Sequence, residues 1–142
     1  MVYIDTSVLA AYYCPESLSA KVQAALGAVD DPAISALVEV ELHSAVSQKV
    51  RTGELDPVMA NRIVSQFRVH LSDGYFRMVP IEAREYALAR DWLARFTTPL
   101  RTLDALHLAA AFASGLEVLT ADARLARAAR ELGVRSRLIG GR

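Results

Sequence analysis

Four acidic residues stand where a carboxylate can do chemistry: Asp5, Glu41, Asp104 and Asp122. Asp5 follows directly on the apolar run Val2-Tyr3-Ile4, and Asp122 lies two residues beyond Val118-Leu119-Thr120. Glu41 and Asp104 fall inside helical patterns. At about 100° per residue, Val38, Leu42, Ala45 and Lys49 share one stripe, with Glu41 on its flank and Glu39 pointing away. Asp104 stands in the first turn of its helix, where the helix dipole favours a negative charge. Ala105, Leu108, Ala111 and Phe112 carry the apolar face of that helix. An acid at the margin of a buried face costs solvation unless a cation or hydrogen-bond donors compensate. Hard divalent cations take oxygen ligands, so an all-carboxylate set suits Mg²⁺ or Mn²⁺. Such an ion lowers the pKa of water and neutralises charge building on a phosphate, which is the chemistry of phosphodiester hydrolysis. Each acid also has an ordinary structural reading: Asp104 and Asp122 as helix N-caps, Glu41 as a solvated edge residue. Taken singly, each favours that reading; taken together, the four favour a site. His43, His70 and His107 fall one to a helix, and Cys14 is the single cysteine, so neither a zinc spacing nor an internal disulfide competes.

The elements that must position these acids alternate between strands and helices. Apolar segments predict strands at Val2–Ile4, Ala33–Ile34, Met78–Ile81 and Glu117–Thr120, with Val134–Leu138 as a fifth at the edge. Helices are expected over Ser7–Tyr13, Ser17–Ala28, Ser35–Val50, Pro57–His70, Ile81–Phe96, Leu103–Ser114 and Asp122–Leu132. The first stops before Pro15, because a residue preceding proline avoids the helical region. Ser17 is the expected N-cap of the second, and Asp56 with Pro57 supplies the start of the fourth. This order implies an α/β fold with a central, mostly parallel sheet of four or five strands and right-handed crossovers. In such sheets the ligand site lies outside the carboxyl ends of the strands, near the point where strand order reverses. Asp5 and Asp122 both follow strands, so two acids are expected at one rim.

The chain of 142 residues reads as one domain, 1–142, with no repeat, linker or low-complexity tract. Its most apolar stretch, Leu103 to Ala113, is broken by Asp104 and His107 and is too short to span a bilayer. The opening has no basic segment and reaches an acid at Asp5, so it reads as a core strand and not as a signal peptide. A reduced, cytoplasmic setting without membrane contact is the expectation. The net charge is zero, yet charge is unevenly placed. Residues 1–61 hold three bases against eight acids, whereas residues 123–142 hold six arginines against Glu131 alone. Arg124, Arg127 and Arg130 recur along one helix flank, either as a solvated face or as a phosphate-contacting patch.

Four stretches resemble the PIN-domain family, and more closely its VapC-type toxin ribonucleases. Tyr3-Ile4-Asp5-Thr6-Ser7-Val8-Leu9 is similar to the first-strand motif, whose Asp binds metal. Ser35-Ala36-Leu37-Val38-Glu39-Val40-Glu41-Leu42 resembles the second, with Glu41 as the matching acid. The most specific stretch, Leu100 to Ala109, supplies Asp104, and Leu119-Thr120-Ala121-Asp122-Ala123-Arg124-Leu125 supplies Asp122. The likeness covers essentially the whole chain. It implies a PIN-like α/β domain that is a Mg²⁺- or Mn²⁺-dependent endoribonuclease, the toxin of a VapBC-type pair. By resemblance, Asp5, Asp104 and Asp122 hold the metal, and Glu41 orients the attacking water or holds a second ion. Thr6, Ser7 and Thr120 support the carboxylates, although Thr6 and Ser7 are equally good N-caps. Arg101 contacts substrate phosphate or steadies a carboxylate, and His107, one turn after Asp104, either approaches the site or is a satisfied histidine in a helix interface. The family implies a cognate VapB-type antitoxin, an RNA substrate and a homodimer. Tyr12, Tyr13, Phe67, Phe76, Trp92 and Phe96 are the aromatic residues shared between core and contact surfaces.

Four other readings compete. A haloacid-dehalogenase-type phosphatase needs a second Asp two residues after the first, and that position is Ser7. A response-regulator receiver needs a late lysine, and the only lysines are Lys21 and Lys49. A catalytically silent binding module has no need of four acids, and a DNA-directed nuclease would use the same metal chemistry. Under the nuclease reading Asp5→Asn abolishes activity and leaves folding intact or improved, through relief of carboxylate repulsion.

Overall fold

The computed structural model describes residues 1–140; Arg142, counted above in the basic C-terminal set, lies outside them. In chain order the elements are β1 (Val2–Ile4), α1 (Thr6–Tyr13), α2 (Ser19–Gly27), β2 (Pro32–Ile34), α3 (Ala36–Arg51), α4 (Pro57–Ser72), β3 (Arg77–Met78), α5 (Ala83–Leu93), α6 (Thr102–Ala113), β4 (Glu117–Thr120), α7 (Ala123–Leu132) and β5 (Ser136–Leu138). The five strands form one sheet in the order β3-β2-β1-β4-β5, and every neighbouring pair is parallel. Strand order reverses between β1 and β4, which lie side by side with Tyr3 opposite Val118 and Ile4 opposite Leu119. Helices on a parallel sheet cover both of its faces, so its central strands are apolar without alternation. Tyr3, Ile4, Ala33, Ile34, Val118 and Leu119 are accordingly buried completely.

Helix boundaries follow local chemistry. Asp56 accepts a hydrogen bond from the Met59 amide at 2.7 Å, and Pro57 opens α4, as expected for capping chemistry. Gly133 closes α7 in the left-handed conformation at φ +74°. Ser17 does not cap α2; that helix begins at Ser19, after Leu18. The Ser19 hydroxyl bonds back to the Ala11 carbonyl at 2.7 Å and accepts the Glu16 amide at 2.9 Å, stitching α1 to α2. The expected helix Ile81–Phe96 is shorter, because Glu82 is extended and Phe96 has φ +56°. Of the aromatic residues shared between core and contact surfaces, Tyr13, Phe67, Phe76 and Trp92 are buried, whereas Phe96 is 90% exposed. The third strand ends earlier than Met78–Ile81 predicts. Val79 N–H reaches the Ile34 carbonyl at 2.8 Å, and Pro80 has no N–H to continue the ladder. Val134, expected in the last strand, bonds instead to the Ala129 carbonyl and finishes α7.

Helix α6 departs most from its expected one-sided face. Every residue from Ala105 to Ala111 is buried, while Phe112, assigned to the apolar side, is 49% exposed. A helix of small residues packed on several sides has no single apolar stripe. Among the described residues no helix is long and apolar enough to cross a membrane.

Candidate active site

The carboxyl ends of β1 and β4 place Asp5 and Thr120 next to each other, at the reversal point of the sheet. Asp5 N–H bonds to the Leu119 carbonyl at 3.0 Å, extending the ladder by one residue, and Asp5 is then the N-cap of α1. Its side chain is almost buried, at 5% exposure. Three donors converge on Oδ2: the Ser7 hydroxyl at 2.5 Å, the Thr120 hydroxyl at 2.9 Å and the Ser7 amide at 3.4 Å. Each hydroxyl has one proton, and both protons go to Asp5. The hydroxyl oxygens in turn accept backbone amides, Ser7 from Ala121 and Thr120 from Asp122, each at 3.0 Å. Asp122 caps α7 by accepting the Arg124 amide at 2.8 Å. Thr120 therefore joins Asp5 to the backbone of Asp122, and Ser7 and Thr120 act as the supports that their sequence context implies.

Glu41 stands on the other side of Asp5. The adjacent Thr6 donates its hydroxyl to Glu41 Oε1 at 2.7 Å. His107 of α6 hydrogen-bonds the same oxygen through Nε2. His107 Nδ1 meets the Tyr3 hydroxyl at 2.7 Å, and Tyr3 meets the Ser35 hydroxyl at 2.8 Å. His107 thus combines both readings of its position one turn after Asp104: it is satisfied in the core, and it reaches a candidate site acid, although the acid is Glu41 and not the neighbouring Asp104. Burial alone raises the Glu41 carboxyl, but the hydrogen bond and charge of His107, with Thr6 and Arg101, more than offset it and hold the group below its ordinary range. Burial pushes the Tyr3 phenol well above its ordinary range, with the charges of Asp5 and Glu41 adding to the effect. Tyr3 therefore keeps its proton.

Asp104 is mounted differently. Its only protein partner among the described residues is Arg101, with Nε 3.2 Å from Oδ2. Arg101 steadies a carboxylate here, one of the two roles its sequence context left open. Glu41, Asp104 and Arg101 line one open hollow of about 430 Å³ together with Thr102 and Leu103. A roomier hollow of about 530 Å³ is lined by apolar groups such as Leu37, Val40, Met78, Tyr86 and Leu106. It has no charged side chain and offers nothing to a phosphate.

The four acids share one feature. Each has one oxygen engaged by the protein and one without a protein partner among the described residues. No buried side-chain oxygen or nitrogen lacks a hydrogen bond among those residues, so the second oxygens face solvent. By donor type the set fits Mg²⁺ or Mn²⁺: oxygen only, anionic, with neighbouring hydroxyls. Among the described residues no three His, Cys, Asp or Glu side chains are grouped tightly enough to enclose one ion. Asp5 is joined to Asp122 through Thr120, and Glu41 shares its hollow with Asp104. Mg²⁺ keeps several of its waters and commonly uses one or two carboxylates, so pairs of this kind suit it.

The family model described as PIN domain matches residues 2–131. A comparison with curated proteins returns no match. Among solved structures, VapC20 of Mycobacterium tuberculosis, a Sarcin-Ricin loop cleaving toxin, is similar over 90% of this chain and 95% of its own, at 18% identity and a TM-score of 0.71. VapBC2 of Rickettsia felis, bound to a DNA fragment from its promoter, is similar over 98% and 99%, at 17% identity and a TM-score of 0.69. A toxin-antitoxin complex from Klebsiella pneumoniae is similar over 86% and 87%, at 20% identity and a TM-score of 0.64. At these identities the likeness is one of fold.

Proposed function

From the premise that the chain belongs to the PIN domain family, we propose that it is an endoribonuclease of the VapC toxin type, which hydrolyses RNA phosphodiester bonds at the rim of Asp5, Glu41, Asp104 and Asp122. The observation that carries this reading is the arrangement of those acids, each anchored by one oxygen and open at the other. A carboxylate that served only as a helix cap has no need of the convergent donors that orient Asp5, nor of the buried partners that hold Glu41.

Asp5 with Asp122 on one side, and Asp104 with Glu41 on the other, would supply carboxylates to Mg²⁺ or Mn²⁺, whose remaining positions are filled by water. Such an ion, when bound, neutralises charge on the phosphate and lowers the pKa of water. The residues of the chain do the positioning. Ser7 and Thr120 hold Asp5 at the reversal point, and Thr6 and His107 hold Glu41 beside it. Arg101, 65% exposed on its side chain, stands at the lip of the hollow, where a guanidinium can meet a phosphate oxygen. In-line attack would leave a 5′-phosphate and a 3′-hydroxyl. VapC20 is a toxin that cleaves the Sarcin-Ricin loop, and the Klebsiella structure is a toxin-antitoxin complex. Those likenesses support an RNA substrate and a VapB-type antitoxin as partner; a homodimer belongs to the same proposal, and so does a cytoplasmic setting.

The test is cleavage of a structured RNA pool by the purified chain with Mg²⁺, with Mn²⁺ and with EDTA, beside Asp5→Asn. Cutting with either ion, lost in EDTA and in the variant, is the expected result. Undiminished cutting in EDTA would remove the metal from the mechanism, and equal cutting by Asp5→Asn would remove the site. No cutting under any condition would favour a silent binding module.

A further inference from the structure

We propose that His107, locked in place by Tyr3 and Ser35, is a positioning residue that sets the orientation of Glu41. The proposal rests on the nuclease reading of the four-acid rim. Its basis is a hydrogen-bonded chain that runs from the core to the site: Ser35, Tyr3, His107, Glu41. The first three are 0%, 0% and 2% exposed, and only the last reaches solvent.

Nothing in the packing calls for these polar groups. His107 stands in a run of buried alanines and leucines, where a leucine would fill space without any need of a partner. Ser35 occupies the N-cap position of α3, yet its side chain makes no capping bond and turns to Tyr3 instead. Buried polar groups are costly unless each is paired, so a fully paired buried chain is a specific arrangement. Its direction follows from counting protons. The Glu41 carboxylate has none to give, so His107 Nε2 must be the donor of that bond. Nδ1 in turn meets the Tyr3 hydroxyl, and Tyr3 meets Ser35. Both ring nitrogens are therefore engaged, and the ring cannot rotate without breaking a buried bond.

The consequence falls on Glu41. Thr6 approaches Oε1 from α1 and His107 approaches it from α6. Two donors on one oxygen restrict the carboxylate and leave Oε2 without a protein partner among the described residues, in a residue that lines the hollow shared with Asp104. Partners that orient a ligating carboxylate typically matter by about 10- to 100-fold in metal affinity or activity.

The experiment compares wild type, His107→Leu and His107→Gln by Mn²⁺ titration calorimetry and RNA cleavage, with thermal melts as the folding control. ¹⁵N imidazole NMR on the metal-free wild type adds a readout independent of activity. His107→Leu is expected to lose about 10- to 100-fold in Mn²⁺ affinity or cleavage. His107→Gln, whose amide puts a donor in the place of Nε2, is expected to recover most of it. The NMR should find Nε2 protonated. A folded Leu variant equal to wild type, or a folded Gln variant as impaired as Leu, would overturn the relay and leave the nuclease reading standing. If the Leu variant does not fold, the Gln variant and the NMR decide, and an unprotonated Nε2 overturns the relay. Wild type that neither binds Mn²⁺ nor cuts RNA would sink the nuclease reading and the relay with it.

Discussion

Asp5→Ala and Asp5→Asn should both abolish RNA cleavage, yet they should differ clearly in stability. In the Ala variant α1 loses its N-cap side chain, a change that costs about 1 kcal/mol. The Thr120 hydroxyl, fully buried, loses the acceptor it holds at 2.9 Å. An orphaned buried donor costs about 1–3 kcal/mol, and the low end applies because the Ser7 oxygen lies 3.3 Å away as a substitute acceptor. The sum is about 2–3 kcal/mol, or a melting point lower by roughly 10 °C for a domain of this size. In the Asn variant the amide oxygen takes the place of Oδ2 and keeps all three donors. Its NH₂ takes the place of the solvent-facing oxygen. Only the charge assistance of those bonds is lost, set against whatever repulsion the missing charge relieves, so stability should stay within about 1 kcal/mol of wild type. Sequence alone suggested intact or improved folding for this variant; donors converging on Oδ2 remove the reason to expect improvement. Thermal and urea melts beside an RNA cleavage assay in Mg²⁺ decide the matter. An Ala variant as stable as wild type, or an Asn variant that melts with Ala, would refute the anchoring geometry. Wild-type cleavage by either would refute the site.

Two further outcomes are expected. Arg124, Arg127 and Arg130 are all exposed on α7, and replacing the three with Gln should weaken RNA binding while lowering the salt slope by about 2, at about 0.7 per phosphate contact on single strands; an unchanged slope measured by filter binding would make them a solvated face. Glu85 is 2% exposed and accepts the Glu82 amide at 2.8 Å with Arg84 beside it, which holds its carboxyl below the ordinary range. A carboxyl depressed in the fold adds stability above its unfolded value of about 4.3, and that stability fades as pH falls through the folded value. Glu85→Gln should therefore be less stable than wild type at pH 7 and converge with it in acid. Urea midpoints that stay equally far apart from pH 7 to pH 3.5 would show that Glu85 does not titrate with folding.

The fold class was legible in the sequence, and the four candidate acids could be named from it, because both are written in short local patterns. A strand that ends in Asp, and a Thr-Ala-Asp after another strand, declare themselves without knowledge of what lies across the sheet. What was hidden is the hydrogen-bonding between distant segments. Tyr3 and His107 are 104 positions apart, and Thr120 and Asp5 are 115 apart. No periodicity reports such a contact. His107 looked like an ordinary core histidine because the partner that gives it a task, Glu41, lies on another helix. Phe112 was expected on the apolar face of α6 and is 49% exposed: residues 105–111 are buried all around that helix, so its burial stops at the last turn instead of following one stripe.

The tripeptide Asp5-Thr6-Ser7 explains how such distant pieces share one rim. Three consecutive side chains at a strand end cannot all point the same way, and here they diverge to useful effect. Asp5 turns to Thr120 at the end of β4, Thr6 turns to Glu41 on α3, and Ser7 turns back to Asp5 while accepting the Ala121 amide. One short corner thus ties the second and fourth acidic segments to the first. Asp104 is outside this knot, tied among the described residues only to the exposed Arg101 three residues before it. An exposed ion pair contributes about 0–1 kcal/mol, so the fold spends little to hold Asp104 in its present position. Three acids are set by the architecture before any ligand arrives, and the fourth is free to exchange its partner at small cost, which is the division expected of a site that must admit a charged, flexible substrate.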